Sequence, residues 1–284
     1  MCPSMAPQSP NSSSRSRGSI ASPVSPTVAT RSALTSPAKA SPRPPSSEDS
    51  TPRPEHALPA PSRARQIEFI GDSHTVGYGN ISTRRDCTQD EVWATTDTAQ
   101  AMPALTARRY GADYQVNAIS GRGIVRNYDG MAADTVPTAY PFTLFDKAAR
   151  YADPAWHPHL FVIALGTNDL TTPLHPGEPW KTRDALHADY EQHYVDFVKR
   201  LRAHAPNAHV ILWATDMANG EIASEVGKVA SRLNAEGERD IGFIPVAGLA
   251  FTGCHAHPST SDDARITMAL STYIDTHPEI WRQK

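Results

Sequence analysis

The sequence predicts an α/β domain, a three-layer sandwich with a central parallel sheet, preceded by a disordered tail. From about residue 65 onwards, short apolar runs alternate with segments of helical periodicity, which favours parallel strands covered by helices on both faces. The first sixty residues are instead built mainly from Ser, Pro, Ala and Thr and contain no Phe, Tyr or Trp.

The tail, residues 1–64, has too few apolar side chains to offset the entropy lost on ordering it. We therefore assign the folded domain to residues 65–284, about 220 residues, a size that suits one α/β domain. The whole chain carries a formal charge of −3, while its first sixty residues are basic, so the folded part is mildly acidic. This part lacks a basic footprint for nucleic acid, and no apolar run approaches the ~20 residues that span a bilayer. We expect neither nucleic acid nor a membrane as a partner.

Strands are predicted at five short β-prone runs, which are residues 66–70, 113–119, 160–165, 210–214 and 241–246. The third and fourth runs are continuously apolar, as expected for strands buried on both faces. Helices are predicted where apolar residues recur at helical spacing, which are residues 99–110, 190–204, 222–233 and 266–274.

Distinctive polar turns follow three of the predicted strands. The carboxyl ends of parallel strands meet at one edge of a sheet, where ligands bind, so we expect these turns to converge. Ser73 follows the first strand with its backbone N–H free for an oxyanion. Gly121, which has no Cβ, can bring a second N–H close, and the Asn168 side chain can supply a third donor. Histidines at 255 and 257 offer a base for the serine.

These features resemble the SGNH, or GDSL, hydrolases. Four blocks match that family in order: GDS at 71–73, Gly121 after the second strand, GTND at 166–169, and a late His-Pro at 257–258. The resemblance is closer still to carbohydrate esterase family 2, the acetyl-xylan esterases and related deacetylases, through the stretches 67–80, 103–130, 165–169 and 253–259. It runs from about residue 65 to the C-terminus and implies the flavodoxin-like fold of that family.

The resemblance also implies a mechanism. Ser73 would be the nucleophile and His257 the general base, with an oxyanion hole formed by the N–H groups of Ser73 and Gly121 and the amide of Asn168. The implied reaction removes O-acetyl groups from an oligo- or polysaccharide through an acyl-enzyme on Ser73, with neither cofactor nor metal. Secretion or a periplasmic location is implied too, although the N-terminus as given shows no signal-peptide pattern.

Several residues depart from the pattern of the family. Cys254 stands three residues before His257, where most SGNH enzymes have Asp. As in the sugar esterases, we therefore expect a Ser-His dyad whose base is oriented by a backbone carbonyl. Ala256 replaces a frequent aromatic residue, and His74 replaces an apolar one. Cys87 and Cys254 flank predicted rim loops, which leaves a disulfide and two free thiols as equal alternatives.

Other interpretations stay open. A general esterase, lipase or thioesterase would use the same residues on another acyl substrate, and a catalytically silent carbohydrate-binding module could use the same scaffold. His255 could replace His257 as base, or the two could mark a metal site, although no third ligand has convincing spacing. Asp72 and Asp169 are expected to cap their turns. Six further cleft candidates are expected in solvated loops or partly buried packing: Arg122, Arg126, Tyr128, Trp93, Trp156 and Trp180.

Overall fold

The computed structural model describes residues 63–282. They contain a five-stranded sheet in the order β2-β1-β3-β4-β5, and each neighbouring pair is parallel. The strands are β1 Gln66–Gly71, β2 Asp113–Ala118, β3 Leu160–Ala164, β4 His209–Thr215 and β5 Ile241–Val246. This order is that of flavodoxin-like folds, so the predicted fold class is confirmed.

Nearly all of the predicted disordered tail, residues 1–64, lies outside the described residues. The disorder and the domain boundary near residue 65 therefore stay predictions. Within residues 63–282, no helix combines the length and the apolar composition that crossing a membrane requires.

Helices connect the strands and flank the sheet. They are α1 Ser73–Val76, α2 Gln89–Thr95, α3 Met102–Tyr110, α4 Val136–Ala139, α5 Thr167–Leu170, α6 Arg183–His204, α7 Glu221–Ala235 and α8 Thr260–Thr276. The four predicted helices correspond to α3, α6, α7 and α8. Two of them begin earlier than periodicity indicates, because the hydroxyl groups of Thr182 and Ser259 cap their first turns.

Two buried clusters make the sheet the middle layer of three. Side chains alternate along a strand, so neighbouring residues enter opposite layers. On one face, Ile163 and Leu212 pack with residues of α6 and α7. On the other face, Val162 and Ile211 pack with residues of α3 and α8.

The register of the central strands places the predicted turns together. Gly71 at the end of β1 pairs with Ala118 of β2 and with Ala164 of β3. The segments that follow these three strands therefore leave the sheet at the same edge. This is the convergence that the sequence predicts, and it builds one rim from Ser73, Gly121 and Asn168.

A buried ion pair anchors the loop that follows β2. Arg126 is 2% exposed and donates from Nε and Nη2 to the Glu178 carboxylate at 2.5 and 2.9 Å. Its Nη1 also donates to the Thr172 hydroxyl at 2.6 Å. The expectation of a solvated loop or a partly buried packing position for Arg126 is wrong, because the loop before α6 supplies the carboxylate that a buried guanidinium requires.

Arg126→Met should lower the free energy of unfolding by about 3 kcal/mol, since it leaves a largely buried carboxylate unpaired. Arg126 lowers the pKa of Glu178 from 4.5 to about 2, so this stabilisation is present above pH 4.5 and disappears as the pH falls through 2. Urea unfolding at several pH values measures the loss. The control is Arg109→Met, which removes a solvent-exposed pair with Asp275. Equal losses in the two variants would contradict the anchor.

Candidate active site

Ser73 begins α1 immediately after β1 and is 5% exposed. The Asp72 carboxylate accepts a hydrogen bond from the His74 N–H at 3.0 Å and so caps this short helix, as expected for that residue. An N–H in the first turn of a helix has no acceptor within the helix. Within residues 63–282, the Ser73 N–H donates no hydrogen bond and is free at the rim.

His257 reaches Ser73 from the loop between β5 and α8. Its Nε2 lies 2.9 Å from Ser73 Oγ, and its Nδ1 lies 2.9 Å from the carbonyl oxygen of Cys254. With the Nδ1 hydrogen donated to that carbonyl, Nε2 carries the lone pair that can accept the serine proton. Serine, imidazole and backbone carbonyl thus form one chain of hydrogen bonds, with the carbonyl in the place of an acid.

Burial keeps this imidazole neutral. It lowers the pKa of His257 from 6.5 to about 4, and the hydrogen bond to the Cys254 carbonyl offsets only part of that effect. Tyr78 stacks on the ring with centroids 4.2 Å apart, and His74 meets it edge-on at 5.5 Å. Burial also lowers the pKa of His74 to about 3. Both rings are therefore uncharged at neutral pH, so His257 is ready to accept a proton.

The segment that carries the base has a strained backbone. Cys254–Ala256 forms a 3-10 turn in which His255 and Ala256 have φ values of 51° and 57°. L-residues with a Cβ disfavour this left-handed region by roughly 1–2 kcal/mol each. Such a conformation persists only where its surroundings hold it.

Two kinds of contact hold this turn. A disulfide joins Cys254 to Cys87, which settles the alternative that the sequence leaves open. The His255 ring lies between the Tyr78 hydroxyl and the Cys87 carbonyl oxygen, at 3.0 and 2.8 Å. His255 is thereby turned away from the serine, and the structure brings His257 to Ser73 instead.

The predicted oxyanion donors differ in availability. Gly121 has φ 78°, and its N–H donates no hydrogen bond within the described part of the chain. Asn168 is 3% exposed, and its Nδ2 donates to Asp72 Oδ2 at 3.0 Å and to the Arg122 carbonyl oxygen at 2.9 Å. Both hydrogens of the amide are engaged. Asn168 reaches an oxyanion only by sharing or exchanging one of these bonds, whereas Gly121 is free to donate.

Two buried carboxylates hold the rim loops against each other. Asp169 accepts hydrogen bonds from the N–H groups of Ile124, Val125 and Arg126, at distances from 2.9 to 3.1 Å. Burial raises the pKa of Asp169 to about 6 and that of Asp72 to about 7. Both carboxylates tie turns together, as expected, and the loop of Gly121 is thus joined to the turn of Asn168.

Of the tryptophans considered for the cleft, two are packing residues, as expected. Trp156 donates to Glu68 and Trp180 to Asp189, each at 2.9 Å. The expectation of partial burial is wrong for Trp93, which is 61% exposed because Val92 takes the buried position on α2.

Sequence reasoning missed Tyr78. It stacks on His257 and hydrogen-bonds His255, yet it lies far from both along the chain. Its position in the stretch 67–80 is the only signal that the sequence offers.

The profile of the GDSL-like lipase/acylhydrolase family matches residues 69–278, which include Ser73 and His257. This chain belongs to that family. The recognition of a GDSL hydrolase from the four sequence blocks is confirmed.

One protein similar to this chain is named for its action on acetylated polysaccharide. An acetylxylan esterase / glucomannan deacetylase of Cellvibrio japonicus is 48% identical over 225 residues, and the match covers 79% of this chain and 62% of that protein. The chain therefore spans less than two thirds of this relative.

Solved structures extend the likeness. A carbohydrate esterase described as displaying divergent catalytic and non-catalytic binding functions is 47% identical, with a TM-score of 0.77 and coverage of 79% of this chain and 69% of that one. A family two carbohydrate esterase from Clostridium thermocellum, in complex with cellohexaose, is 27% identical, with a TM-score of 0.67 and coverage of 80% and 67%. The resemblance to carbohydrate esterase family 2 is confirmed.

In an NMR titration, His257 should change protonation near pH 4 instead of 6.5. The folded state then binds fewer protons than the unfolded state between these values, so the free energy of unfolding should fall as the pH drops from 6.5 to 4. His257→Gln should remove the part of this pH-dependent loss of stability that His257 causes. His209, whose pKa burial also lowers to about 4, should still contribute its own part in that variant. A His257 midpoint near 6.5 would be inconsistent with the buried dyad.

Proposed function

We infer that this chain is a serine esterase that removes O-acetyl groups from carbohydrate through an acyl-enzyme on Ser73. The observation that carries the proposal is the 2.9 Å contact between Ser73 Oγ and the lone-pair nitrogen of a neutral His257. The similar protein named acetylxylan esterase / glucomannan deacetylase supports acetylated plant polysaccharide as the substrate class.

The first half of the reaction forms the acyl-enzyme. Ser73 Oγ attacks the ester carbonyl carbon while His257 Nε2 takes the serine proton. The negative charge that develops on the carbonyl oxygen meets the free N–H groups of Ser73 and Gly121. Asn168 can add a third donor when the oxyanion competes for one of its bonds. Cleavage of the bond to the sugar follows, and His257 returns the proton to the departing sugar oxygen.

The second half clears the acetyl group. Water attacks the acetyl-enzyme, His257 Nε2 accepts a proton from it, and the same donors stabilise the second oxyanion. Acetate leaves as Ser73 recovers its proton. A carbonyl at Nδ1 stabilises the transient imidazolium less than a carboxylate would, in keeping with the low pKa of His257.

An exposed aromatic residue in the loop of Gly121 supports a sugar substrate. The Tyr128 N–H donates to the Gly121 carbonyl oxygen at 2.9 Å, and the Tyr128 side chain is 54% exposed. Such a ring offers a flat apolar surface for the face of a sugar, as aromatic linings do in many ligand sites.

Acetate release from acetylated xylan and acetylated glucomannan tests the proposal. Release should vanish in Ser73→Ala and persist in Ser231→Ala, which changes an exposed serine of α7. Aryl esters of acetyl, butyryl and longer acids should show activity only on the shortest. Ser73-dependent cleavage of aryl esters without release from sugars would reject the substrate class. Sugar binding without cleavage of any ester would reject the enzyme and favour a binding module.

The two histidines of the loop should differ. His257→Ala removes the base and should lower kcat by about 10²–10⁴-fold. His255→Ala leaves the contact between Ser73 and His257 in place and should cost much less. Steady-state kinetics on an aryl acetate distinguish the two variants, and a larger loss in His255→Ala would reverse the assignment of the base.

A further inference from the structure

We propose that the Cys87–Cys254 disulfide is a positioning element of the active site, which holds the Cys254 carbonyl where it orients His257. The inference rests on the proposed function, since it concerns the base of that reaction. The disulfide thus contributes to catalysis as well as to the stability of the fold.

Cys254 makes contacts through its side chain, its N–H and its carbonyl oxygen. Its side chain is bonded to Cys87, and its N–H donates to the Gly79 carbonyl oxygen at 3.2 Å. Its carbonyl oxygen accepts from His257 Nδ1 at 2.9 Å and from the His257 backbone N–H at 3.1 Å. The residue is fully buried. Side chain and carbonyl share one Cα, so a shift of the sulfur atom turns the carbonyl that holds the base.

One peptide plane transmits this constraint. The peptide between Cys254 and His255 presents its oxygen to His257 Nδ1 and its N–H to the Arg85 carbonyl oxygen, at 2.9 and 2.7 Å. Arg85 lies two residues before Cys87, so the segment that carries the disulfide partner also fixes the other end of the same plane. The disulfide therefore clamps the plane to the 85–87 segment.

The backbone on the far side of this plane needs such a clamp. His255 and Ala256 both have positive φ, a conformation that residues with a Cβ leave when free to do so. If the clamp opened, relaxation of these two residues would rotate the peptide plane. The Cys254 carbonyl would then leave Nδ1, and the imidazole would lose its fixed tautomer and direction.

The position of the group that orients the histidine matters more in a Ser-His dyad than in a triad. A carboxylate attracts an imidazolium over several ångströms, whereas a neutral carbonyl orients the ring only at hydrogen-bond distance. The other ties of the turn are single hydrogen bonds, and those of the His255 ring are exposed to solvent. Among the contacts described for this turn, the disulfide is a covalent bond and the others are hydrogen bonds.

The test compares the Cys87→Ser/Cys254→Ser variant with a parent that keeps the disulfide, and both carry Cys2→Ser so that no third thiol exchanges. On an aryl acetate, kcat should fall by about 10- to 100-fold, because a base displaced by about 1 Å loses that much. KM should stay within about twofold, since the ester-binding surface is unchanged. Reduction of the native disulfide with dithiothreitol should lower kcat in the same way, and reoxidation should restore it.

A matched control separates positioning from stability. Val229→Ala opens a cavity under α7, within a core cluster that contains neither Cys254 nor His257. It should lower Tm without changing kcat at a temperature where all the proteins are folded. In the disulfide-free variant, the acidic limb of the pH profile of kcat/KM should move towards pH 6.5, because water then solvates the released imidazole and raises its pKa. In Val229→Ala the acidic limb should not move.

NMR of the His257 ring measures the change in its orientation and protonation without substrate turnover. The native ring should show the Nδ1–H tautomer, and the ring of the disulfide-free variant should show a mixture of tautomers with a higher midpoint. An unchanged tautomer, kcat and pH profile in a folded disulfide-free variant would overturn the inference while leaving the proposed function in place. A native protein that cleaves no ester would overturn the proposed function, and the NMR comparison would still decide whether the disulfide positions the ring.

Discussion

The hydrogen bond between His257 Nδ1 and the Cys254 carbonyl is the contact on which the chemistry of this site depends. It selects the tautomer, directs Nε2 to Ser73 at 2.9 Å, and does so without an acid. A carbonyl cannot compensate for the burial of a positive charge as a carboxylate does, and the pKa of His257 falls to about 4 as a result. The base is therefore neutral over a wide pH range but weak. Catalysis then depends more on the exact position of the imidazole and on the oxyanion donors.

The rim that receives the oxyanion is built by carboxylates that take no part in the reaction proposed here. Asp72 holds the Asn168 amide, and Asp169 gathers three successive N–H groups of the loop that follows Gly121. Burial makes both carboxylates costly, and their hydrogen bonds offset part of that cost. Farther along the same loop, Arg126 and Glu178 add a second anchor. These contacts hold the loop in place and leave the Gly121 N–H free.

Much of this arrangement could be predicted from the sequence because its signals are local. Each strand is a short run bounded by turn residues, and the parallel order brings Ser73, Gly121 and Asn168 to one edge. The early starts of α6 and α8 were not predicted, because capping hydroxyls and not apolar spacing decide them. The stacking of Tyr78 on His257 and the pairing of Arg126 with Glu178 were not predicted either, because each joins segments far apart in the chain and leaves no periodic trace.

The direction of the Cys254 side chain restricts which residue can stand at position 79. It points to Cys87 and packs so closely on Gly79 that a Cβ at position 79 would overlap it. Gly79 also has φ 56°, a backbone conformation that residues with a Cβ rarely adopt. The residue beside the disulfide therefore has to be a glycine for two independent reasons, the space that Cys254 takes and the conformation of its own backbone. The loop after the nucleophile is thus shaped to accept the bond that holds the loop of the base.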